Sequence, residues 1–233
     1  MAIGGDRRVL DPSGPQEPGS RRTFDPRRTP WVSYAVLGIA VFLFAAETFG
    51  GVPFREAFAL WGPAVVPGGE WHRTLTTVFV HATTPLHILF NMMVLWSVGI
   101  PFERAIGTWR FFLVSLITAL GSSVFVLWLG FDQPTLGASG MILGWAGAML
   151  PIATREGRRQ LQSWLLQIAL LSALPFIFPA VRISWQGHLG GFVFGVLAGL
   201  LLRDRAKHFP TGAPILLFIT CVLVVVAAHA GAN

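Results

Sequence analysis

One cysteine, one tyrosine and a charged fraction of only 12% set the first limits on this chain of 233 residues. With Cys221 alone, neither a disulfide framework nor a thiolate metal site is available. A soluble domain of this length needs a charged surface. At 53% hydrophobic residues and mean hydropathy +0.62, that class is excluded. Acidic residues are also scarce, eleven against seventeen basic ones, nearly all arginine. The cations stand in short clusters between apolar runs, the pattern of orientation signals in a membrane, so no nucleic-acid partner is expected. No apolar core follows Met1 within residues 1–30, so no cleavable signal peptide is expected there.

What remains is apolar sequence cut into stretches of membrane-crossing length. Spans of about 20 residues, six or seven in number, use up most of the chain. We read them at 31–49, 86–102, 109–129, 139–154, 161–178, 185–202 and 215–229, the fourth and the last being short. Residues 1–30 are polar and rich in proline, glycine and arginine, and read as a disordered basic tail. Residues 31–202 read as one helical core, and 203–233 as a linker with an additional transmembrane helix. The expected class is an all-α polytopic membrane protein. Under this assignment the tail, Arg104 with Arg110, the Arg155–Arg159 cluster and the Arg203–Lys207 cluster share one side. That side is the cytoplasmic one by charge, which places the amino terminus inside and the long 50–85 loop outside.

Two polar features stand out in this apolar setting. Gly137-Ala138-Ser139-Gly140 opens the short fourth span, and His188 lies one turn into the sixth. A hydroxyl and an imidazole are costly in a bilayer unless packing or function retains them. A helix amino terminus offers unpaired N–H groups and a positive dipole end, where an oxyanion is stabilised. Gly140, Gly144 and Ala148 recur every four residues on one helix, and Gly187, Gly191 and Gly195 on the other. Two such flat faces let backbones approach closely, and Ser139 and His188 stand at the same end of them. The reading is a serine nucleophile and its histidine base, without a carboxylate in the outer half of the later spans to complete a triad. His87 and Asn91 share a face at i, i+4; either they donate toward the fourth helix's amino terminus, or they satisfy each other and nearby backbone. His72, His81 and His87 have spacings that put no two together on one helix face, so no metal site is expected. A transporter is disfavoured: Glu47 and Glu103 are the acids near the spans, both at span ends, and no inverted repeat is visible.

Taken together, the motifs resemble the rhomboid family of intramembrane serine proteases. Trp71-His72-Arg73 is similar to the family's Trp-x-Arg element, and His87 with Asn91 to its His-x-x-x-Asn. Gly99, Glu103 and Gly107 resemble its Gly-x-x-x-Glu-x-x-x-Gly. Gly137 to Gly140 resembles the nucleophile motif, and His188 with Gly191 and Gly195 the base motif. The resemblance covers about Glu70 to Gly199. It implies a six-helix core, here with one added carboxyl-terminal helix, and cleavage of peptide bonds in or near transmembrane segments of other membrane proteins, without cofactor. It further implies that Ser139 is the nucleophile and His188 the base. His87, Asn91 and the Ser139 N–H would be oxyanion donors, Glu103 a structural tie, and Trp71 and Arg73 shapers of the first loop. An inactive relative that binds membrane clients is the competing reading, and retention of both Ser139 and His188 speaks against it. Two departures stand out: Leu143 occupies a position where an aromatic usually packs on the histidine, and Gly187 replaces the usual alanine. The first leads to an expectation of altered rate or pH dependence. The expected setting is a bacterial cytoplasmic membrane, with the site opening to the external side.

Overall fold

The computed structural model describes residues 27–172, 177, 183–203 and 208–232. Most of the basic tail expected over 1–30 lies outside the described residues, as do most of the carboxyl-terminal end of the fifth span and the linker residues 204–207. Among the described residues every regular element is helical, with one isolated bridge between Leu60 and Thr135. In chain order they are α1 (Trp31–Gly50), α2 (Phe54–Phe58), α3 (Gly62–Val65) and α4 (Arg73–Thr76), which runs into a single 3₁₀ turn (Thr77–Phe79). Next come α5 (Pro85–Val94), a π turn (Leu95–Gly99) and α6 (Ile100–Ile106), which join into one 22-residue rod, Pro85–Ile106. α7 (Thr108–Leu129), α8 (Ser139–Met149), α9 (Arg155–Ser172), α10 (Trp185–Arg203) and α11 (Phe209–Gly231) complete the fold. Five of these helices are long and apolar enough to cross a membrane: α1, the Pro85–Ile106 rod, α7, α10 and α11.

Several boundaries differ from the sequence reading, each for a local reason. The fourth span stops at Met149, not Thr154, because Pro151 biases the residue before it away from helix. α8 is only 11 residues long and buried at every position from Gly140 to Ala148, so it is an interior helix of the bundle. α9 begins at Arg155, six residues before the expected start, with the Thr154 hydroxyl accepting from the Gly157 N–H at 3.2 Å in the manner of an amino-terminal cap. α11 begins at Phe209, not Ile215, because Pro210 falls in the first turn, where a missing N–H is harmless. The π turn was not foreseen. Pro101 removes one donor from an otherwise continuous rod, and the widened turn just ahead of it absorbs the mismatch.

α7 is the centre of the bundle, packed against α8, α10 and α11. The α8–α10 interface is the tightest in the molecule. A Cβ on Gly191 would overlap the Gly140 carbonyl, one on Gly195 the Gly144 carbonyl, and one on Gly199 the carbonyl of Ala148. Reciprocally, a Cβ on Gly144 would come within 2.8 Å of the Gly191 carbonyl oxygen. The two small-residue stripes therefore interlock backbone to backbone, which fixes the register of Ser139 against His188.

Candidate active site

Ser139 is the first residue of α8, so its N–H is among the donors that a helix start leaves without an intrahelical acceptor. The loop that delivers it is stitched to the 50–85 segment. Leu60 and Thr135 exchange both backbone hydrogen bonds at 2.8 Å, and the Thr77 hydroxyl donates to the Thr135 carbonyl at 2.8 Å. The Gly137 N–H donates to the Thr77 carbonyl at 3.0 Å. These bonds satisfy backbone groups of the loop and fix it against the 50–85 segment.

The Ser139 hydroxyl lies 2.8 Å from His188 Nε2. α10 carries His188 to this place with its own start held by Ser184, whose hydroxyl accepts from the Gly187 N–H at 3.3 Å. The pair is partly buried, between two helices whose glycine faces meet backbone to backbone. A hydroxyl in contact with an imidazole nitrogen is the arrangement in which a general base can take a proton from a nucleophile.

His87 closes the third side. Its Nδ1 accepts from the Ala82 N–H at 3.1 Å, so in the neutral ring the proton is on Nε2 and that nitrogen donates. Gly137 lies directly beneath the ring: a Cβ there would stand 2.9 Å from His87 Cε1 and Nε2. Gly137 also has φ +112°, so both its backbone and its neighbour exclude a side chain. The His87 donor thus faces the loop that delivers Ser139. Asn91 is placed differently. Its Nδ2 donates to the His87 carbonyl at 2.8 Å, one turn back on its own helix, which commits one of its two amide hydrogens.

The remaining motif residues hold the frame. Buried Glu103 accepts from the Val32 N–H at 3.1 Å and from the Ser33 N–H and hydroxyl, each at 2.8 Å, so it clasps the first turn of α1. Arg73 donates to the Glu56 and Ala59 carbonyls at 2.6 and 2.9 Å and pairs with Glu70 at 2.7 Å, binding α2 to α4. Trp71 stacks on His229 near the end of α11, with ring centroids 6.3 Å apart. Leu143 is buried, while Trp145 turns toward α7 and donates to the Ser115 hydroxyl at 3.0 Å. Gly140, Gly191 and Gly195 belong to the interlocked stripes. Of the three histidines weighed for a metal, His72 faces the Ala57 carbonyl at 3.2 Å, and His81 meets His87 edge to face at 5.2 Å.

The sequence profile described as Rhomboid domain matches residues 68–205. The chain belongs to the rhomboid family. This rhomboid is 31% identical over 180 residues to the rhomboid protease GluP of Bacillus subtilis (strain 168), covering 74% of this chain and 35% of that protein. It is 29% identical over 196 residues to the mitochondrial RHOMBOID-like protein 6 of Arabidopsis thaliana, covering 72% and 61%. An uncharacterized protein of Mycobacterium tuberculosis (strain ATCC 25618 / H37Rv) is 29% identical over 236 residues, with 85% of this chain and 87% of that protein aligned. The chain therefore spans about a third of the Bacillus relative and three fifths of the Arabidopsis one. Family and apolar helices together make this rhomboid an integral membrane protein.

Sequence reasoning weighed His81 only as a metal ligand and did not foresee its burial. It is 1% exposed, and neither ring nitrogen reaches a hydrogen-bond partner. The signal that could have found it is its place in an otherwise apolar Val78–Ala82 run just ahead of His87.

Proposed function

We propose that this rhomboid is an intramembrane serine endopeptidase working through a Ser139–His188 dyad on transmembrane protein substrates. The observation that carries the reading is the 2.8 Å contact between the Ser139 hydroxyl and His188 Nε2 at the start of a buried helix. Ser139 Oγ attacks the scissile carbonyl carbon while its proton passes to His188 Nε2. The oxyanion that forms is met by the His87 Nε2–H, the Ser139 N–H and the uncommitted Asn91 amide hydrogen, donors fixed before the charge develops. Collapse breaks the C–N bond, and His188 returns the proton to the leaving amine. Water then repeats the sequence on the acyl-enzyme, with His188 as base, and frees Ser139. The charge pattern of the connections supports an orientation with the Ser139 end of α8 facing the external side of a bacterial cytoplasmic membrane and the amino terminus in the cytoplasm.

The test is cleavage of a single-span model substrate in proteoliposomes, with wild type beside Ser139→Ala, His188→Ala and His87→Ala. Wild type is expected to cut, the first two variants to be silent, and His87→Ala to lose about 10²–10³ in kcat. Cleavage by Ser139→Ala at the wild-type rate would remove the dyad from the mechanism. Silence of folded wild type across several substrates would favour a client-binding relative.

A further inference from the structure

α11 supplies no group to the proposed chemistry, yet its last turn carries weight from both segments that frame the dyad. The helix packs on α7, and its buried residues Thr220, Val224, Ala227 and Ala228 recur along one face. That face runs on to Gly231, where a Cβ would overlap the Leu127 carbonyl and stand 3.0 Å from Phe131 Cδ2. Phe131 lies in the connection from α7 to α8, the loop that ends at Ser139, and packs partly buried against the core. On the other side of its ring is Gly62, the first residue of α3, where a Cβ would overlap the ring itself. The Gly62 N–H also donates to the Phe131 carbonyl at 3.0 Å. One aromatic ring is thus wedged between a glycine of α3 and a glycine of α11.

A second contact joins the same turn to the 50–85 segment. His229 stacks on Trp71, with the ring planes 25° apart. Trp71 leads into α4, whose Arg73 holds the Ala59 carbonyl, and the next residue, Leu60, pairs with Thr135 of the catalytic loop. The loop reaches the base as well as the nucleophile. Its Thr135 hydroxyl lies 3.4 Å from the Ser184 hydroxyl just ahead of α10. Gln186, on the first turn of α10, donates through Nε2 to the Leu129 carbonyl at 3.5 Å.

We infer that the last turn of α11 positions the Ser139–His188 pair, with Phe131 as the positioning residue between them; the inference rests on the catalytic reading above. The ring transmits the place of α11 to the loop that sets Ser139 against His188. The contact at stake is 2.8 Å long, and a misplacement of about 1 Å between reacting groups costs on the order of 10² in rate. Glycine on both sides suits that tolerance, because neither neighbour of the ring has a side chain that could give way. The added helix thereby takes part in catalysis without touching the reacting atoms.

The full chain in proteoliposomes is compared as wild type, Phe131→Ala, Phe131→Leu and Gly231→Ala. Phe218→Ala, on the open face of α11, serves as control. Two readouts are taken per folded molecule: kcat and KM on a single-span substrate, and the rate at which a fluorophosphonate labels Ser139. The labelling needs no substrate to dock. Phe131→Ala and Gly231→Ala should each lower kcat and the labelling rate about tenfold or more, with KM within about twofold. Phe131→Leu restores most of the bulk and should recover to within about threefold of wild type, while Phe218→Ala should match it. Unchanged kcat and labelling in Phe131→Ala and Gly231→Ala overturn the inference and leave the catalytic reading standing. A loss confined to the amount of folded protein, or shared equally by Phe218→Ala, overturns it too, since the ring is then only structural. A folded wild type that is neither labelled nor able to cut removes the catalytic reading, and this inference with it.

Discussion

His87 is oriented from two sides: the Ala82 N–H fixes its tautomer, and Gly137 leaves the room in which its ring lies. His81 packs against that ring and gains nothing in exchange for its own burial. Burial, aided by the nearby His87, pushes the His81 pKa from 6.5 down to about 4. A neutral native imidazole and an unfolded one that titrates at 6.5 set the sign. Above pH 6.5 the group contributes nothing, and as pH falls the unfolded state takes up a proton that the folded state refuses. The folded state should therefore lose up to about 3 kcal/mol between pH 6.5 and pH 4 from this residue. Melting curves in detergent across that range should show a shallower acid slope for His81→Phe than for wild type. Parallel slopes would mean that His81 is not the group responsible. Its buried state depends on how the 3₁₀ turn folds back beside α5, which no spacing in the sequence encodes; hence it entered the sequence reading only as a weak metal candidate.

Helix faces were far more legible than helix contacts with the loops. The glycine stripes on α8 and α10 could be read because a four-residue recurrence of small side chains has one physical use, close approach of backbones. Their interlock makes a sharp prediction. Gly191→Ala would press a Cβ into the Gly140 carbonyl, and backbone on both helices cannot yield as a side-chain end can. We expect it to destabilise the protein by about 3 kcal/mol or more, at or above the usual range for overpacking. Gly38→Ala on α1, where nothing lies within 4 Å, is the control and should be neutral or stabilising by about 0.5–1 kcal/mol. Thermal unfolding of the two variants side by side decides it, and equal melting temperatures would refute the interlock. The Leu60–Thr135 bridge and the Asn91 bond to the His87 carbonyl were not legible. The first joins segments distant in sequence through backbone alone, and the second is a rotamer choice. The start of α9 and the π turn escaped for a related reason: apolar length marks that a helix exists, while caps and prolines set where it starts or bends.

On the scale of the whole molecule, α1 is the outlying member. Its faces are largely open, with Ser33, Val36 and Ala40 as its buried residues, and a stripe that narrow supplies little apolar adhesion to the bundle. The polar tie is correspondingly important. Glu103 is fully buried and spends its carboxylate on three donors at the start of α1, where the helix dipole also favours negative charge. One side chain on the Pro85–Ile106 rod thereby fixes where the first helix enters the membrane, and α1 in turn flanks the rod that carries His87 and Asn91. Removing the carboxylate leaves three donors without an acceptor, the two on Ser33 buried and the Val32 N–H part-buried, and a buried one costs about 1–3 kcal/mol when orphaned. Glu103→Ala should therefore lower stability by about 3 kcal/mol or more, and expose the Gly51–Pro53 link after α1 to added protease before the rest of the bundle opens. Glu103→Gln keeps one acceptor oxygen and turns an NH₂ group toward donors, so it should fall between wild type and alanine. If the glutamine and alanine variants instead melt together, or the link after α1 stays resistant in both, α1 is held by its apolar stripe, and Glu103 only fills a space.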